Sequence, residues 1–291
     1  APAWSCYWST FLTRRKFVTT FHGTYSIKNK FKKFYNSVMV KSKLIIAGSN
    51  FIFNHINDNY GGYLKEKNKL LVIFRGINLN YYNPKQISDI KLLQLKKEWQ
   101  VEEEKFKLLL PGRLTNWKGQ INFIEALNIL IEDYKNDNFQ AFILGSDQGR
   151  NVYKKKLQSL IDRYNLGKKI KFIEQCKEMP LAYAISDLVI SSSIKPEAFG
   201  RVSVEAQAMQ KPIIATNLGG SKETIVNNKT GILYKFDDPR ELAKNINSFM
   251  ETDKLALNIM GVEGRKNVMK KFDVDKMCQS TFNEYKKLLN L

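Results

Sequence analysis

Cysteine is scarce in this chain: Cys6, Cys176 and Cys278 are the only three in 291 residues, odd in number and far apart. They supply neither a disulfide framework nor a metal knuckle, and the expectation is a reducing compartment. Long apolar runs are missing as well. None approaches the ~18 residues of a spanning helix, and the best candidates, 43–47 and 70–74, have the length of buried strands. Arginine is also short, at 9 of 47 basic residues, the other 38 being lysine. A nucleic-acid reader would more often cluster arginine with aromatic platforms. What is abundant is Lys, with Asn and Ile at 26 each, which is what an A/T-rich coding sequence produces without selection for a basic surface. The net charge of +19 therefore calls for no nucleic-acid partner, although a basic surface favours anionic ones. A content of 43% hydrophobic and 26% charged residues excludes a disordered chain, a collagen and a coiled coil. The length allows one large domain or two modest ones. The first residue is Ala and no signal-like segment opens the chain, so Ala1 reads as an interior point of a longer protein.

Short β-branched and apolar runs recur at 16–21, 43–47, 70–74, 106–110, 140–144, 171–174, 188–191, 212–216 and 231–234. Segments of helical period lie between most of them, such as 121–134 with apolar residues at 121, 124, 127, 130 and 131. Strands alternating with helices predict βαβ units and parallel sheets, an α/β architecture. The polar, Lys- and Glu-rich stretch 78–104 lacks a strand and reads as a connector, helical through 87–99. It divides the chain into residues 1–84 and 85–273. The first part shows three strands, thin for a doubly wound domain in which each βαβ unit takes about 30 residues.

The strand ends are more telling than the strands. His22 and Gly23 follow the first, Arg75 and Gly76 the third, Gly112 and Arg113 the fourth, Gly145 the fifth, and Gly219 and Gly220 the eighth. In open α/β sheets, ligands bind beyond the carboxyl ends of the strands. Any one glycine serves a tight turn; five such turns with His and Arg among them suggest a site. Two stretches carry chemistry. In residues 195–206, Glu197 and Glu205 flank Gly200, and a helix starts at the glycine. Its unpaired amides, near Gly200 and Arg201, favour an anion, and carboxylates beside an anion suit hydroxyls of a sugar or ribose. In 111–120, Gly112 lets the turn approach a ligand while Arg113 and Lys118 offer two cations, as a pyrophosphate requires. Each stretch also has an ordinary reading, as helix-capping acids and solvated lysines.

Together these stretches resemble the retaining nucleotide-sugar glycosyltransferases of group 1 (family 4), which have the GT-B fold. The resemblance rests on Glu197 and Glu205 at their seven-residue separation and on the loop from Gly112 to Gly119. It also rests on the Phe21-His22-Gly23-Thr24 turn and on residues 217–224 followed by Thr230-Gly231. It implies two Rossmann-like domains with parallel sheets facing a cleft, the N-terminal one incomplete and the terminal helix, 274–291, crossing back onto it. It implies that Arg113, Lys118 and Gly112, with Gly200, Arg201 and Val202, bind the donor diphosphate, and that Glu205 holds the ribose. Glu197, Ala198 and Phe199 would meet the transferred sugar, and His22 would lie near its reacting carbon, so that His22 and Glu197 are the catalytic candidates. The partners implied are a nucleoside diphosphate sugar and a carbohydrate or lipid-linked acceptor, in cell-surface polysaccharide or lipopolysaccharide synthesis. No cofactor or metal is implied, and the location implied is cytoplasmic, at the inner face of a membrane.

Several features stay open at this level. A pair of carboxylates also serves glycosidases, but hydrolysis needs no diphosphate clamp. Asp273-Val274-Asp275 fits a metal-binding pattern, yet Asp273 precedes a helix, where it is a good N-cap. In residues 27–43, Phe31, Phe34, Tyr35 and Val38 share a helical face, with Lys28, Lys30, Lys32 and Lys33 largely away from it. Packing of that face on a sheet is the expectation; contact with an anionic membrane is the alternative. A non-catalytic nucleotide-sugar binding protein and a basic polyanion-binding protein are the competing functions.

Overall fold

The computed structural model describes residues 2–25, 27, 29–65, 69–149 and 151–291. The chain forms two compact units. One comprises Ala1–Gly76, Glu197–Phe199 and Lys271–Leu291, the other Ile77–Pro196 and Gly200–Lys270. Residues 77–84, assigned from sequence to the first domain, thus lie in the second unit.

In the first unit, α1 (Pro2–Leu12), β1 (Val18–Phe21), α2 (Lys30–Asn36), β2 (Leu44–Ala47), α3 (Asn50–Tyr60) and β3 (Lys69–Val72) follow in order. The sheet runs β1-β2-β3, all parallel, with Val18 opposite Leu44 and Leu44 opposite Lys69. Leu44–Ala47 is buried along its whole length, as a strand covered on both faces must be. Ser49 caps α3, its Oγ accepting from the Ile52 amide at 3.1 Å.

The second unit continues with α4 (Asp89–Glu98), β4 (Phe106–Pro111), α5 (Gln120–Glu132), β5 (Phe139–Leu144), α6 (Asn151–Arg163), β6 (Ile170–Ile173) and α7 (Met179–Ile185). After these come β7 (Leu188–Ser191), α8 (Arg201–Ala208), β8 (Ile213–Thr216), α9 (Ser221–Thr224), β9 (Ile232–Tyr234), α10 (Pro239–Glu251) and α11 (Lys254–Lys271). Its parallel sheet has the order β6-β5-β4-β7-β8-β9. Leu108, Leu109 and Leu110 of the central β4 are at most 1% exposed, and each contributes about 1.5–3 kcal/mol by leaving water. Among the described residues the strands coincide with the nine runs read from sequence, within a residue or two at most ends. The last helix, α12 (Val274–Leu289), returns to the first unit, where Met277 and Leu288 pack beside Leu44, Ile46 and Ile73. Asp273 caps it, accepting from the Asp275 amide at 3.0 Å.

The expectation for 27–43 fails in its first turns. Helix α2 has no buried residue; Phe31 is 86% exposed, and Phe34 and Tyr35 are about half exposed. Among the described residues of this range Val38 and Val40, in the 3₁₀ turn Ser37–Lys41, are buried, and Met39 packs against the core. The winding changes from α to 3₁₀ after Asn36 and shifts the angular spacing of side chains, so Val38 is buried while Phe31, Phe34 and Tyr35, all within α2, stay exposed. Trp4 of α1 lies beside Phe34 and Tyr35, and its indole N–H donates to the Tyr35 carbonyl at 2.9 Å. Lys28 lies outside the described residues.

Candidate active site

In the second unit the chain runs from β4 outward through β5 and β6, then returns to lay β7 on the other side of β4, with Leu108 opposite Leu188. The strand order therefore reverses between β4 and β7, and the loops beyond their carboxyl ends diverge. Such switch points are where open α/β sheets bind ligands. Here the loop after β4 carries Gly112, Arg113 and Lys118, and the loop after β7 leads to Gly200 and α8.

The two loops are bound together by hydrogen bonds to main-chain carbonyls. Ser192 Oγ donates to the carbonyls of Lys118 (3.2 Å) and Gly119 (3.0 Å), and the Ile194 amide donates to the Trp117 carbonyl at 2.9 Å. Gly119, the cap of α5, has φ +72°, and a methyl group on it would sit 1.8 Å from the Ser192 carbonyl oxygen. Only glycine fits both constraints. The Lys118 stem lies along Gly112, and its ammonium is 4.7 Å from the centre of the Trp117 ring. Arg113 is exposed, while its carbonyl accepts from Gln120 Nε2 at 2.9 Å.

Gly200 begins α8 at φ +87°, and a methyl group on it would sit 2.8 Å from Ser221 Cα. This close approach brings the start of α9 against the start of α8. The first amides of a helix lack intrahelical partners and carry the positive end of its dipole; in α8 these belong to Arg201 and Val202, while the Ser203 amide donates to the Gly200 carbonyl at 3.1 Å. The hydroxyls of Ser203 and Ser221 are buried without a partner among the described residues. A cluster of main-chain and hydroxyl donors at one helix start suits an anionic oxygen.

Glu205, one turn into α8, is 6% exposed. Its Oε2 accepts from the hydroxyl of Tyr183, which is fully buried on α7, at 2.8 Å. Its Oε1 accepts from Arg201 Nε at 2.6 Å. Tyr82, also buried, lies beside both Glu205 and Arg201. Burial and then the adjacent carboxylate push both phenols well above their ordinary pKa, so both stay protonated as donors. Tyr82 and Tyr183 escaped the sequence reading. For Tyr183 the one signal was a phenol in the apolar run 179–185, which needs a partner when buried; Tyr82 sits in the polar stretch 78–104 and gave no such signal.

The other predicted residues belong to the first unit. His22 follows β1, Ser49 follows β2 and Arg75 lies just beyond β3, with a methyl group on Gly48 placed 3.1 Å from Arg75 Cγ. Glu197, Ala198 and Phe199 fold with this unit although their sequence neighbours do not. The Ala198 carbonyl accepts from Ser49 Oγ at 2.6 Å. Phe199 is 6% exposed, and its ring meets Phe272 edge-on at 5.5 Å. The structure thus brings Gly112, Arg113, Lys118, Gly200, Arg201, Val202 and Glu205 into one unit, and His22, Glu197, Ala198 and Phe199 into the other.

His22 has its pKa lowered by burial and then by Arg75, and His55, on α3, by burial against a weaker opposing effect of Asp58. Both favour the neutral imidazole when folded. The unfolded chain takes up protons near pH 6.5, before the folded one does, so stability is full above that value and falls as pH drops below it. Histidine NMR titrations should give both midpoints below 6.5; a midpoint above it for His22 would contradict the placement beside Arg75.

Among the described residues no group of three or more His, Cys, Asp or Glu side chains is placed to hold a metal, and no helix is long and apolar enough to cross a membrane.

Comparison with known proteins agrees with this geometry. The family model "Glycosyl transferases group 1" matches residues 93–266. A glycosyltransferase structure from Rickettsia africae ESF-5 is 38% identical, with a TM-score of 0.88 over 99% of this chain and 75% of that one. Anabaena Alr3699/HepE, solved in complex with UDP-glucose, is 25% identical with a TM-score of 0.86, over 98% of this chain and 76% of that one. Spore coat protein SA of Bacillus subtilis strain 168 is 27% identical over 84% of this chain. The chain spans 64% of that protein's length.

Proposed function

The chain belongs to the group 1 glycosyltransferases and has their GT-B fold, and from that premise we propose that it transfers a glycosyl group from a nucleoside diphosphate sugar to an acceptor hydroxyl, with retention of configuration. The observation that carries the reading is the pairing of two cations with a buried carboxylate across the β4/β7 switch point. Arg113, Lys118 and the first amides of α8 take the diphosphate, and Glu205 takes the ribose hydroxyls. Roles for His22, Glu197 and the main chain of Ala198 and Phe199 toward the sugar follow the family resemblance.

In the reaction, the bond between the anomeric carbon and the diphosphate oxygen breaks, and its electron pair leaves with the diphosphate. The acceptor oxygen bonds to the same carbon from the same face, and its proton passes to the departing phosphate. The protein stabilises the leaving group through fixed positive charge and positions the reactants. No metal enters this scheme. Uracil nucleotides are the first donors to test, because HepE was solved with UDP-glucose. A carbohydrate or lipid-linked acceptor of a cell-surface polysaccharide, met on the cytoplasmic side, suits a relative named as a spore coat protein.

Titration with nucleosides and their diphosphates tests the phosphate clamp. Arg113→Ala and Lys118→Ala should each weaken nucleoside diphosphate binding by about tenfold, the scale of one charge-assisted hydrogen bond. Nucleoside affinity should not move. Equal losses for nucleoside and diphosphate, or no loss for either, would remove both residues from the diphosphate.

A further inference from the structure

A carboxylate that recognises ribose must accept from ligand hydroxyls, yet both Glu205 oxygens already hold partners: Tyr183 on Oε2, Arg201 on Oε1. The partners are not equally fixed. Tyr183 is fully buried and Tyr82 nearly so, whereas the Arg201 side chain is 74% exposed against 7% for Glu205. The arginine is the partner that can leave without disturbing the core.

Its position in the helix points the same way. Arg201 is the first residue of α8, where the macrodipole favours an anion and a cation is misplaced. Arginine one turn before glutamate is also the less favourable order for a helical ion pair. The bond to Glu205 offsets both disadvantages. An anion arriving at the start of α8 would remove both, because it would give the guanidinium a partner at the helix end where it already sits.

We infer that Arg201 is a two-position latch that selects phosphorylated nucleotides. One position is the ion pair with Glu205 seen in the structure. The other is against the diphosphate of a bound nucleotide, reached when a ribose hydroxyl takes Oε1. The latch works against any ligand that brings a ribose without phosphate, because such a ligand must displace the arginine and gives it nothing in return. It works for a ligand that brings both. Tyr183 and Tyr82 hold the carboxylate in place while the exchange occurs. The inference rests on the assignment of Glu205 to ribose made above.

NMR titration of the full chain with uridine, guanosine and adenosine, and with UDP, GDP and ADP, tests it in three variants. Arg201→Met should bind the nucleoside about threefold more tightly than the unsubstituted chain, the scale of a partly exposed helical ion pair. Its preference for diphosphate over nucleoside should fall about tenfold, as one charge-assisted hydrogen bond is lost. Arg201→Lys, which keeps the charge without the Nε donor, should fall between. Nucleoside affinity that is unchanged or weaker in Arg201→Met overturns the latch. Glu205→Ala separates the two readings: if it weakens nucleoside binding while Arg201→Met fails to tighten it, the latch alone falls. If Glu205→Ala leaves nucleoside binding intact, or if no nucleotide binds the folded chain, the ribose assignment falls and the latch with it.

Discussion

Nucleoside diphosphate affinity should drop by about a hundredfold on Glu205→Ala, because two ribose hydroxyls lose a charged acceptor, each bond to a charged group contributing about 1.5–3 kcal/mol. Both affected groups lie in one unit, on α7 and α8. The substitution also leaves the buried Tyr183 hydroxyl without its 2.8 Å acceptor, at a cost of about 1–3 kcal/mol in stability. Glu205→Gln separates the two effects. Its side-chain carbonyl can still accept from Tyr183, so stability should recover more than affinity does. Calorimetric titration and denaturant unfolding on the same preparations read both quantities. Affinity within threefold of the unsubstituted chain in Glu205→Ala would mean that the carboxylate serves the fold alone.

Gly119→Ala should be the most damaging single methyl in the second unit. The residue sits at φ +72°, where a Cβ costs about 1–2 kcal/mol. The added carbon would also lie 1.8 Å from the Ser192 carbonyl oxygen, far inside van der Waals contact. Relief requires the 3₁₀ turn Asn116–Lys118 or the end of β7 to move, which displaces Lys118 from the phosphate side. A loss of about 3 kcal/mol or more in unfolding free energy is expected, together with weakened diphosphate binding. Gly149 provides the internal reference. It has nearly the same dihedral, φ +76°, but nothing within 4 Å of the added carbon. Gly149→Ala should therefore cost only the conformational part, about 1–2 kcal/mol. Equal effects at both glycines would show that the Ser192 approach places no constraint on the loop.

How far the sequence went depends on which kind of information each feature needs. Residues 106–110 read as a buried strand because Leu108, Leu109 and Leu110 are consecutive and apolar, and burial on both faces of a parallel sheet demands that. The loop from Gly112 to Gly119 was legible for a related reason: glycines and cations there are tied to their own strand end. The partners of Glu205 were not legible. Tyr183 is 22 residues away on another helix, and no local pattern says which buried phenol meets which carboxylate. Residues Glu197–Phe199 were read together with Glu205, yet they fold with the first unit, held by Ser49 and Phe272. The helix at Lys30–Asn36 was visible, but not its early end, because a 3₁₀ turn follows and the apolar face assigned to it is broken. Local propensity predicts elements; which unit a side chain finally serves depends on long-range packing that composition does not encode.

The central claim is that a donor nucleotide binds beyond the carboxyl ends of β4 and β7. A crystal structure of the chain with UDP or GDP tests it most directly. The account predicts diphosphate density against Gly112, Arg113, Lys118 and the first amides of α8, with the ribose hydroxyls on Glu205 and Arg201 turned away from Oε1. Nucleotide density at any other place in the fold, with Glu205 still paired to Arg201, would contradict it.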